Sequence, residues 1–430
     1  MTLEYFSHNY LKMNAFDYFF ENTFSLDKVF LAGKEEITYR QLHDSSSRLA
    51  AQMRNEYGTG KHILLISPNN VFFLVNYLAI IKSGNICIPL DPAIEKENFS
   101  YIATLTNPSL MYVTREIKNK LGLADYKCIT PEELKINETG FEPLPRDVDF
   151  DGEKCAEIIF TSGSTGKPKG VMISHKNLMA NTGSIVDYLG LTPDDRMLVV
   201  LPFYYCYGLS LLHTHLRVGG SIVFNNSFIF LGAIINNLID YKCTGFAGVP
   251  SHFQILLRKS DTFRKTNFPD LRYVTQAGGK LAPIFIDEFR ASHPGVKFIV
   301  MYGQTEATAR LSYLPPELYD AKKGSMGKGI PGVELRVINE SGEKIKPGET
   351  GEVIAKGDNI MIGYFADPEG TAAAIKDGWL HTGDLGTVDE DGYIFLTARK
   401  KEIIKVGGKR ISPKEIEAVI LEIRRLLIAL

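Results

Sequence analysis

Hydrophobic positions fall into short apolar runs, most of which end in Gly, Pro or Asn. HILLISPNN (62–70) predicts a strand that ends in a loop, and VFFLVNYLAIIKSG (71–84) predicts a buried helix that Gly84 terminates. The same alternation returns between RMLVVLPFYY (196–205) and VKFIVMYG (296–303). Alternating strands and helices predict an α/β fold of mostly parallel sheets covered by helices. Ligands of such sheets bind at the carboxyl ends of the strands, where these Gly-rich breaks lie.

The pattern changes after about residue 330. VELRVINESGEKIKPGETGEVIAKG (333–357) is rich in β-formers and turn residues, so it predicts a small β-subdomain at about 330–397. We expect a large N-terminal domain at 1–397 that contains this subdomain. Residues 398–430 are expected to form a hinge and the truncated start of a C-terminal domain, in which SPKEIEAVILEIRRLLIAL begins like a helix.

Composition and charge exclude several classes of protein. A chain of 430 residues exceeds one compact core, and a net charge of −2 lacks the basic surface of a nucleic-acid binder. The N-terminus shows no basic start before an apolar run, and no apolar stretch reaches bilayer-spanning length. The cysteines have no CxxC spacing, which favours neither zinc nor disulfides and predicts a reduced, cytoplasmic compartment. They are Cys87, Cys128, Cys155, Cys206 and Cys243.

TSGSTGKPKG (161–170) is the strongest candidate for chemistry. Its glycines expose backbone amides, and its hydroxyls and lysines add donors for phosphate oxygens. The P-loop pattern GxxxxGK[ST] fails, because Thr161 stands at its first position and Pro168 at its last. The GxGxxG spacing fails as well, and a helix can begin only at Ser174, after the strand-like GVMIS. The loop therefore joins two strands, and by composition alone a solvated hairpin is as good a reading as a phosphate site.

Further segments resemble the motifs of one family, in that family's order. They are ITYRQL (37–42), IKSGNICIPLDP (81–92), LPFYYCYGLS (201–210), YGQTEAT (302–308), GYFADPEGT (363–371), GWLHTGDLG (378–386) and TARKKEIIKVGGKRISPKEIE (397–417). With TSGSTGKPKG they resemble the AMP-forming adenylating enzymes, which include acyl- and aryl-CoA synthetases, peptide-synthetase adenylation domains and firefly luciferase. The resemblance runs from about residue 35 to about 420 and is closest in type to acyl-CoA synthetases.

The resemblance implies a two-step ligase. ATP activates a carboxylic acid to an acyl-adenylate with release of pyrophosphate, and a thiol of CoA or of a phosphopantetheine carrier protein then takes the acyl group. The implied cofactors are ATP and Mg²⁺, and an acyl carrier protein is one candidate partner. We expect no nucleic-acid partner, while the oligomeric state, for which a homodimer is one candidate, stays open. The alternatives are an inactive protein that binds a nucleotide or acyl-adenylate, and an amino-acid adenylating domain.

The resemblance also assigns ATP-binding residues. The β- and γ-phosphates would be held by Thr161, Ser162, Gly163, Ser164, Thr165, Gly166, Lys167 and Lys169. Thr305 would bind the α-phosphate and Glu306 the Mg²⁺, a cation that prefers oxygen ligands beside phosphates. Tyr302 would stack on adenine. The neighbours of these groups would be Gly303, Gln304, Gly278, Gly279 and Lys280. Without the resemblance, Glu306 reads as a helix-start carboxylate and Tyr302 as a core aromatic residue.

Two further motifs concern the ribose and the hinge. The resemblance implies that Asp384 binds the ribose hydroxyls, that Arg399 contacts the same sugar, and that Lys401 lies at the hinge of the C-terminal domain. By composition alone, Asp384 reads as a turn residue and RKKE as a solvated face.

The acyl pocket is implied near LPFYYCYGLS. Its candidate lining residues are Tyr204, Tyr205, Gly208, Ala277 and Met301. The motif offers no acid to pair with an ammonium group, and an unpaired buried ammonium is costly. We therefore expect an aryl or aliphatic acid without an α-ammonium group.

Relatives of this type continue for roughly a hundred residues past the hinge, which fits a small separate domain. The lysine that they use in adenylation would lie there, so we expect weakened activity for this chain. A trimmed chain, a truncated or frameshifted gene, and a natural single-domain form completed by another chain are the open explanations.

Overall fold

The computed structural model describes residues 12–134, 140–161 and 167–400, together with the backbone of strands at 404–406 and 409–411. All statements below refer to these residues.

The part of the chain before the phosphate loop alternates helices with short strands. Its helices are α1 (Ala15–Phe20), α2 (Tyr39–Tyr57), α3 (Val71–Ser83), α4 (Lys96–Thr106) and α5 (Arg115–Leu121). Its strands are β1 (Val29–Ala32), β2 (Ile37–Thr38), β3 (His62–Ile66), β4 (Ile86–Pro89), β5 (Leu110–Val113), β6 (Cys128–Ile129) and β7 (Cys155–Thr161).

The middle of the chain continues the alternation. Its strands are β8 (Lys169–Ser174), β9 (Arg196–Val199), β10 (Ser221–Phe224), β11 (Gly245–Gly248), β12 (Tyr273–Gln276), β13 (Lys297–Tyr302), β14 (Ser312–Leu314) and β15 (Lys328–Gly329). Its helices are α6 (His175–Leu189), α7 (Cys206–Val218), α8 (Leu231–Asp240), α9 (Pro250–Lys259), α10 (Asp261–Lys265) and α11 (Pro283–Ser292). Single 3-10 turns span Thr305–Ala307 and Pro316–Leu318.

The last described part is mostly β-structure. Its strands are β16 (Val333–Ile338), β17 (Gly351–Gly357), β18 (Gly363–Tyr364), β19 (Ile375–Lys376), β20 (Trp379–Val388), β21 (Ile394–Arg399), β22 (Ile404–Val406) and β23 (Lys409–Ile411). One short helix, α12 (Pro368–Ala374), interrupts them.

Three larger sheets organise the described residues. The first has the order β15-β14-β13-β12-β11-β9-β10-β1-β2 and is parallel from β13 through β1. The second has the order β18-β8-β7-β4-β3-β5-β6 and is parallel from β7 through β6. The third is antiparallel and joins β16, β17, β20, β19 and β21. The predicted α/β architecture with a small β-rich part is thus confirmed.

Local sequence explains the predicted boundaries of two helices. Asn70 caps α3 by accepting from the Phe73 amide, and Gly84 ends the helix in the left-handed conformation that glycine adopts without strain. The residues of α3 are apolar on nearly every side and are buried between α1 and α2. Ser174 begins α6 through a capping box with Asn177, so the chain leaves β8 at the residue that the sequence indicates.

One strand connects the β-rich part to the second sheet. β18 pairs with β8, which places Gly363 opposite Met172 and Tyr364 opposite Val171. The Phe365 amide also donates to the Gly170 carbonyl at 2.7 Å. Residues from the middle of the β-rich part therefore lie beside the hairpin that carries the predicted phosphate loop.

No described helix combines the length and apolar character that crossing a bilayer demands.

Candidate active site

The predicted phosphate loop closes an antiparallel hairpin. β7 and β8 pair up to Thr161 opposite Lys169, and the Thr161 hydroxyl donates to the Lys169 carbonyl at 3.5 Å. The chain therefore passes from strand to strand here, as the sequence indicates. The predicted loop residues Ser162, Gly163, Ser164, Thr165 and Gly166 lie outside the described residues.

The two lysines of this hairpin differ in their surroundings. The Lys169 ammonium forms a 2.7 Å ion pair with Asp367 and lies 4.9 Å from the centre of the Tyr364 ring. This hydrogen bond from Lys169 lowers the pKa of Asp367. Lys167 is exposed, and its ammonium lies 5.5 Å from the centre of the Tyr101 ring. Lys169 is thus held at the base of the hairpin, while Lys167 lies at its solvent side.

The YGQTEAT segment forms a tight turn at the end of β13. A side chain at Gly303 would bring Cβ to 1.9 Å from the Ala309 carbonyl oxygen, so glycine is required where the chain folds back. Gln304 precedes the 3-10 turn and accepts from the Ala307 amide at 3.0 Å. Thr308 has a φ of 63°, an uncommon conformation for a β-branched residue, and its hydroxyl donates to the Asn359 carbonyl at 2.7 Å. Such strained turns cluster at functional sites.

Glu306 is positioned by the β-rich part of the chain. The Tyr364 hydroxyl donates to a Glu306 carboxylate oxygen at 2.8 Å, and the Met361 amide donates to the Glu306 carbonyl at 2.9 Å. Burial and the nearby Glu306 charge raise the pKa of Tyr364. Because Lys169 lies over the same tyrosine ring, Tyr364 brings a phosphate-loop lysine and the predicted Mg²⁺ ligand to one place.

Tyr302, Asp384 and Arg399 meet at a second cluster. The Tyr302 hydroxyl donates to one oxygen of Asp384 at 2.6 Å, and Arg399 Nε donates to the other at 3.0 Å. Asp384 lies opposite Arg399 in the pairing of β20 with β21, and its side chain is buried. Burial and the Asp384 charge raise the pKa of Tyr302. An ionised carboxylate has about four acceptor sites, so this one can accept further hydrogen bonds from a ligand.

Two glycines follow β12, and the next residue, Lys280, reaches the strand that ends in Arg399. The Gln276 amide donates to the Gly279 carbonyl at 2.8 Å, and Gly278 has a φ of 82°, which favours glycine. The Lys280 ammonium is exposed and lies 3.4 Å from the Leu396 carbonyl oxygen of β21. Lys280 therefore links the end of β12 to the strand that ends in Arg399.

The N-terminus of α7 meets the YGQTEAT turn. Cys206 Sγ lies 3.5 Å from the Thr305 hydroxyl, and burial raises the pKa of the Cys206 thiol. The rings of Tyr204 and Tyr205 lie 4.7 Å apart, and Tyr205 is 50% exposed. Burial and the neighbouring Asp91 carboxylate raise the pKa of Tyr204. The predicted acyl-pocket tyrosines therefore stand at the open end of α7, close to Thr305.

The other predicted pocket residues lie deeper. Ala277 and Met301 are buried at the ends of β12 and β13. A Cβ at Gly208 would lie 2.1 Å from the Pro202 carbonyl oxygen, so close packing of α7 explains this glycine. The Tyr207 hydroxyl lies 2.9 Å from Thr275 Oγ1, which ties α7 to β12.

Several contacting residues are absent from the prediction. Cys206 and Tyr207 lie inside the quoted motif LPFYYCYGLS, and Tyr364 and Asp367 lie inside GYFADPEGT, so the motifs themselves were the available signal. Arg310 lies two residues after YGQTEAT, and its buried position had no signal in the sequence. The predicted hinge residue Lys401 lies outside the described residues.

The described residues contain no cluster of three or more His, Cys, Asp or Glu residues that could hold a metal ion. Glu306 is thus a single carboxylate. This suits Mg²⁺, which proteins often bind through one or two carboxylates, with water and substrate phosphates supplying the other ligands.

Comparisons with known proteins identify the family of this chain. The family model of AMP-binding enzymes matches residues 21–365. The oxalate–CoA ligase of Arabidopsis thaliana is 31% identical over 91% of this chain and 79% of its own length. The feruloyl-CoA synthase of an Amycolatopsis species is 30% identical over 90% of this chain and 78% of its own length.

Solved structures show the same fold. The ATP-bound structure of MatB from Rhodopseudomonas palustris superposes with a TM-score of 0.85 and 28% identity, over 95% of this chain and 83% of that one. O-succinylbenzoate coenzyme A synthetase from Bacillus subtilis, in complex with AMP, gives a TM-score of 0.86 at 24% identity over 96% and 83%, which is a likeness of fold alone.

The chain therefore belongs to the family of AMP-binding enzymes. The predicted AMP-forming, ATP-dependent acid–thiol ligase of the acyl-CoA synthetase type is confirmed at the level of this family.

Proposed function

We propose that this enzyme joins a carboxylic acid to CoA in two half-reactions at the cleft around Thr305. A carboxylate oxygen of the acid attacks the α-phosphorus of ATP, so an acyl–phosphate bond forms and the bond to the leaving pyrophosphate breaks. The CoA sulfur then attacks the acyl carbon, AMP leaves, and the thiol proton passes to solvent. A carrier-protein thiol is the alternative acceptor.

One observation carries this proposal: two polar clusters from distant motifs flank the turn that bears Thr305. Tyr364 joins Lys169 to Glu306 on one side, and Asp384 joins Tyr302 to Arg399 on the other. The first cluster offers a cation and a carboxylate to the phosphate end of ATP. The second offers hydrogen-bond acceptors and an aromatic ring to its nucleoside end.

The reaction needs both charge neutralisation and alignment, because a carboxylate and a triphosphate repel each other. Lys167 and Lys169, with the amides and hydroxyls of the loop, hold the β- and γ-phosphates. Thr305 donates its hydroxyl to the α-phosphate. Glu306 holds Mg²⁺, which supplies positive charge beside the phosphates when it is bound.

The nucleoside end is recognised by buried groups. Asp384 accepts hydrogen bonds from the ribose hydroxyls at its remaining acceptor sites, and Arg399 fixes the orientation of that carboxylate. Tyr302 borders adenine together with Gly278, Gly279 and Lys280. Lys401 acts at the hinge, which lies within residues 398–430. The enzyme works in the cytoplasm.

The acid carries no α-ammonium group. The segment from Phe203 to Tyr207 has no acid, and the Asp91 carboxylate beside Tyr204 already accepts from the Ala93 amide at 2.7 Å. Oxalate and ferulate occur in the names of relatives at about the same identity, so this similarity supports no single acid.

Acid-dependent exchange of pyrophosphate into ATP tests the first half-reaction. We expect exchange with at least one acid that lacks an α-ammonium group, and formation of its CoA thioester and AMP when CoA is added. Glu306→Gln should raise the Mg²⁺ concentration needed for exchange, whereas Glu334→Gln, at an exposed carboxylate paired with Arg336, should not. ATP binding without exchange for any acid would contradict the proposal, as would a strong preference for an L-amino acid.

A further inference from the structure

Arg310 is a buried cation beside the candidate acyl pocket. Its residue is 3% exposed and lies two residues after the YGQTEAT turn. The Asn181 and Asn359 amides both donate to the Arg310 carbonyl, at 3.1 and 2.8 Å. The backbone is therefore held from α6 and from the β-rich part, and the guanidinium direction is fixed by its neighbours.

The neighbours of the guanidinium supply few acceptors. It stacks over the Tyr207 ring at 4.0 Å, Nε donates to Met301 Sδ at 3.4 Å, and Nη1 donates to the Ala309 carbonyl at 3.3 Å. The Tyr188 hydroxyl is a further, uncharged hydrogen-bond partner of its side chain. A guanidinium has five N–H donors, and a thioether is a weak acceptor. Among the residues that the structure describes, no carboxylate forms an ion pair with Arg310.

A second buried cation, Lys82, has the carboxylate partner that Arg310 lacks in the described structure. Within the described chain, Lys82 and Arg310 are the buried Lys and Arg residues. Lys82 forms a 2.6 Å ion pair with the buried Asp17 and also donates to the Pro145 carbonyl at 2.9 Å. Burial of a charge without a counter-charge is costly. Lys82 has a carboxylate partner, whereas Arg310 has none among the described residues.

Arg310 lies against residues of the candidate acyl pocket. Met301 is a predicted pocket residue, and Tyr207 is bonded to Thr275, two residues before the pocket residue Ala277. Cys206, which precedes Tyr207 on α7, contacts Thr305 at 3.5 Å. Adjacent residues of one helical turn thus touch the proposed α-phosphate site and Arg310.

We propose, resting on the proposed function, that Arg310 binds a second carboxylate of the substrate, which is a short dicarboxylic acid. One carboxylate lies at Thr305 and attacks ATP, while the other pairs with the guanidinium, which matches carboxylates in a planar, two-point geometry. The acid is short because adjacent residues of α7 contact the two anchor points. A positive charge in the pocket also disfavours an ammonium group there.

The first test compares matched acids in the wild-type enzyme. Pyrophosphate exchange is measured with propanoate against malonate, butanoate against succinate, and hexanoate against adipate. We expect kcat/KM for the best dicarboxylate to exceed that of its monocarboxylate by about 100-fold, as loss of one partner of a buried charge pair predicts. A preference for the monocarboxylate in every pair overturns the inference while leaving the proposed function intact.

The second test removes the charge. Arg310→Gln should lower kcat/KM for the dicarboxylate by about 100-fold through KM and leave the monocarboxylate nearly unchanged, and Arg310→Lys should restore part of the preference. Arg336→Gln is the matched control, because Arg336 stacks over Trp379 at 4.2 Å on the β-rich surface. An equal loss for both acid classes, or weaker ATP binding alone, overturns the inference because it identifies a structural or phosphate-binding role.

Calorimetry separates the two proposals. Succinate and malonate are titrated into wild type and Arg310→Gln in the presence of AMP. If no acid supports exchange but dicarboxylates bind wild type and not the variant, the Arg310 site stands and the ligase proposal fails. Absence of both exchange and binding overturns both.

Discussion

Two buried cations of this protein have opposite surroundings. Lys82 lies between α3 and α1, with the Asp17 carboxylate at 2.6 Å. Arg310 lies beside the candidate pocket, where its guanidinium contacts the Tyr207 ring, the Met301 thioether, a backbone carbonyl and the Tyr188 hydroxyl, all of them uncharged. In the layer formed by helices α1, α2 and α3, called the helical layer below, the buried cation is paired with a carboxylate of the protein itself. Beside the candidate pocket, the buried cation has no such carboxylate among the described residues, so a ligand can supply one.

The same difference holds for the acids. Asp17 has one oxygen on Lys82 and the other buried without a hydrogen-bond partner in the described structure, so this pair is sealed from solvent. Asp384 is held by Tyr302 and Arg399 at the border of the cleft, and Arg399 is partly exposed. We infer that ion pairs of the helical layer determine stability, and that those of the cleft determine binding. Each prediction below tests this division.

The largest change in stability is expected at the buried ion pair between Asp17 and Lys82. Asp17→Asn leaves Lys82 charged and without a carboxylate, which should lower the free energy of unfolding by about 3–5 kcal/mol. Urea unfolding measures the loss, and kcat per folded molecule should not change. The double variant Asp17→Leu with Lys82→Met should lose far less, and an equal loss in single and double variants would contradict the role of the unpaired charge.

Glu157 lies between the two regions and should give a pH-dependent effect. It is buried, accepts from the Tyr77 hydroxyl at 2.8 Å, and lines a small cavity with Cys206 and His213. Burial raises its pKa from 4.5 to about 7. The folded protein therefore favours the protonated carboxyl, and the stability present below pH 4.5 is lost as the pH rises through about 7.

Glu157→Gln should remove this loss. The shift corresponds to about 3 kcal/mol, so the variant should gain up to that amount relative to wild type between pH 4.5 and pH 8. Thermal unfolding across this range measures the difference. His213 acts in the opposite sense, because burial lowers its pKa to about 3 and its stabilising contribution is lost below pH 6.5. A wild-type-minus-variant difference that stays flat with pH would refute the assignment to Glu157.

A smaller effect is expected at the nucleoside cluster. Asp384→Asn keeps an acceptor for Tyr302 but turns amide hydrogens or a neutral oxygen towards Arg399 and the ribose. ATP affinity should fall by about 1.5–3 kcal/mol, the usual range for hydrogen bonds to a charged group, with little change in unfolding. Calorimetric titration of ATP gives the first quantity and urea unfolding the second. An unchanged affinity for ATP together with a strongly reduced free energy of unfolding would show that Asp384 stabilises the fold and does not bind ATP.

The smallest effect is expected at Tyr364. Tyr364→Phe removes the hydrogen bond to Glu306 but keeps the ring beneath Lys169, so the apparent Mg²⁺ affinity in exchange should weaken by about 0.5–1.5 kcal/mol. Tyr393→Phe is the control, since the described cation–ring contacts of Tyr393 are to Lys322 and Lys328. Equal changes in both variants would indicate a general loss of packing.

Local patterns predicted much of the fold. Asn70 and Gly84 at the ends of α3, and Ser174 at the start of α6, act within a few residues of the chain, so their effects can be read without the tertiary structure. The failure of the P-loop pattern and the strand-like flanks likewise predicted that the loop joins two strands, and the structure adds that they pair up to Thr161 opposite Lys169.

The site was predictable in its motifs and not in its contacts. The quoted segments contain Thr305, Glu306 and Asp384, because motif residues are adjacent in sequence. The bond from Tyr364 to Glu306 and the ion pair between Lys169 and Asp367 join residues 58 and 198 positions apart. Such pairs depend on the pairing of β18 with β8, and the sequence of a two-residue strand does not indicate which strand it will pair with.

The sequence by itself determined the alternation of strands and helices, the turns that glycine permits, and the chemical groups available for ATP, because these follow from backbone and side-chain properties of neighbouring residues. The tertiary structure alone decided which groups contact each other and which charged side chains are buried away from solvent. Arg310 shows this most clearly: its type is written in the sequence, but burial without a described carboxylate depends on the meeting of α6, α7 and β13. The free energy of a charge is set by its surroundings, and those come from the fold.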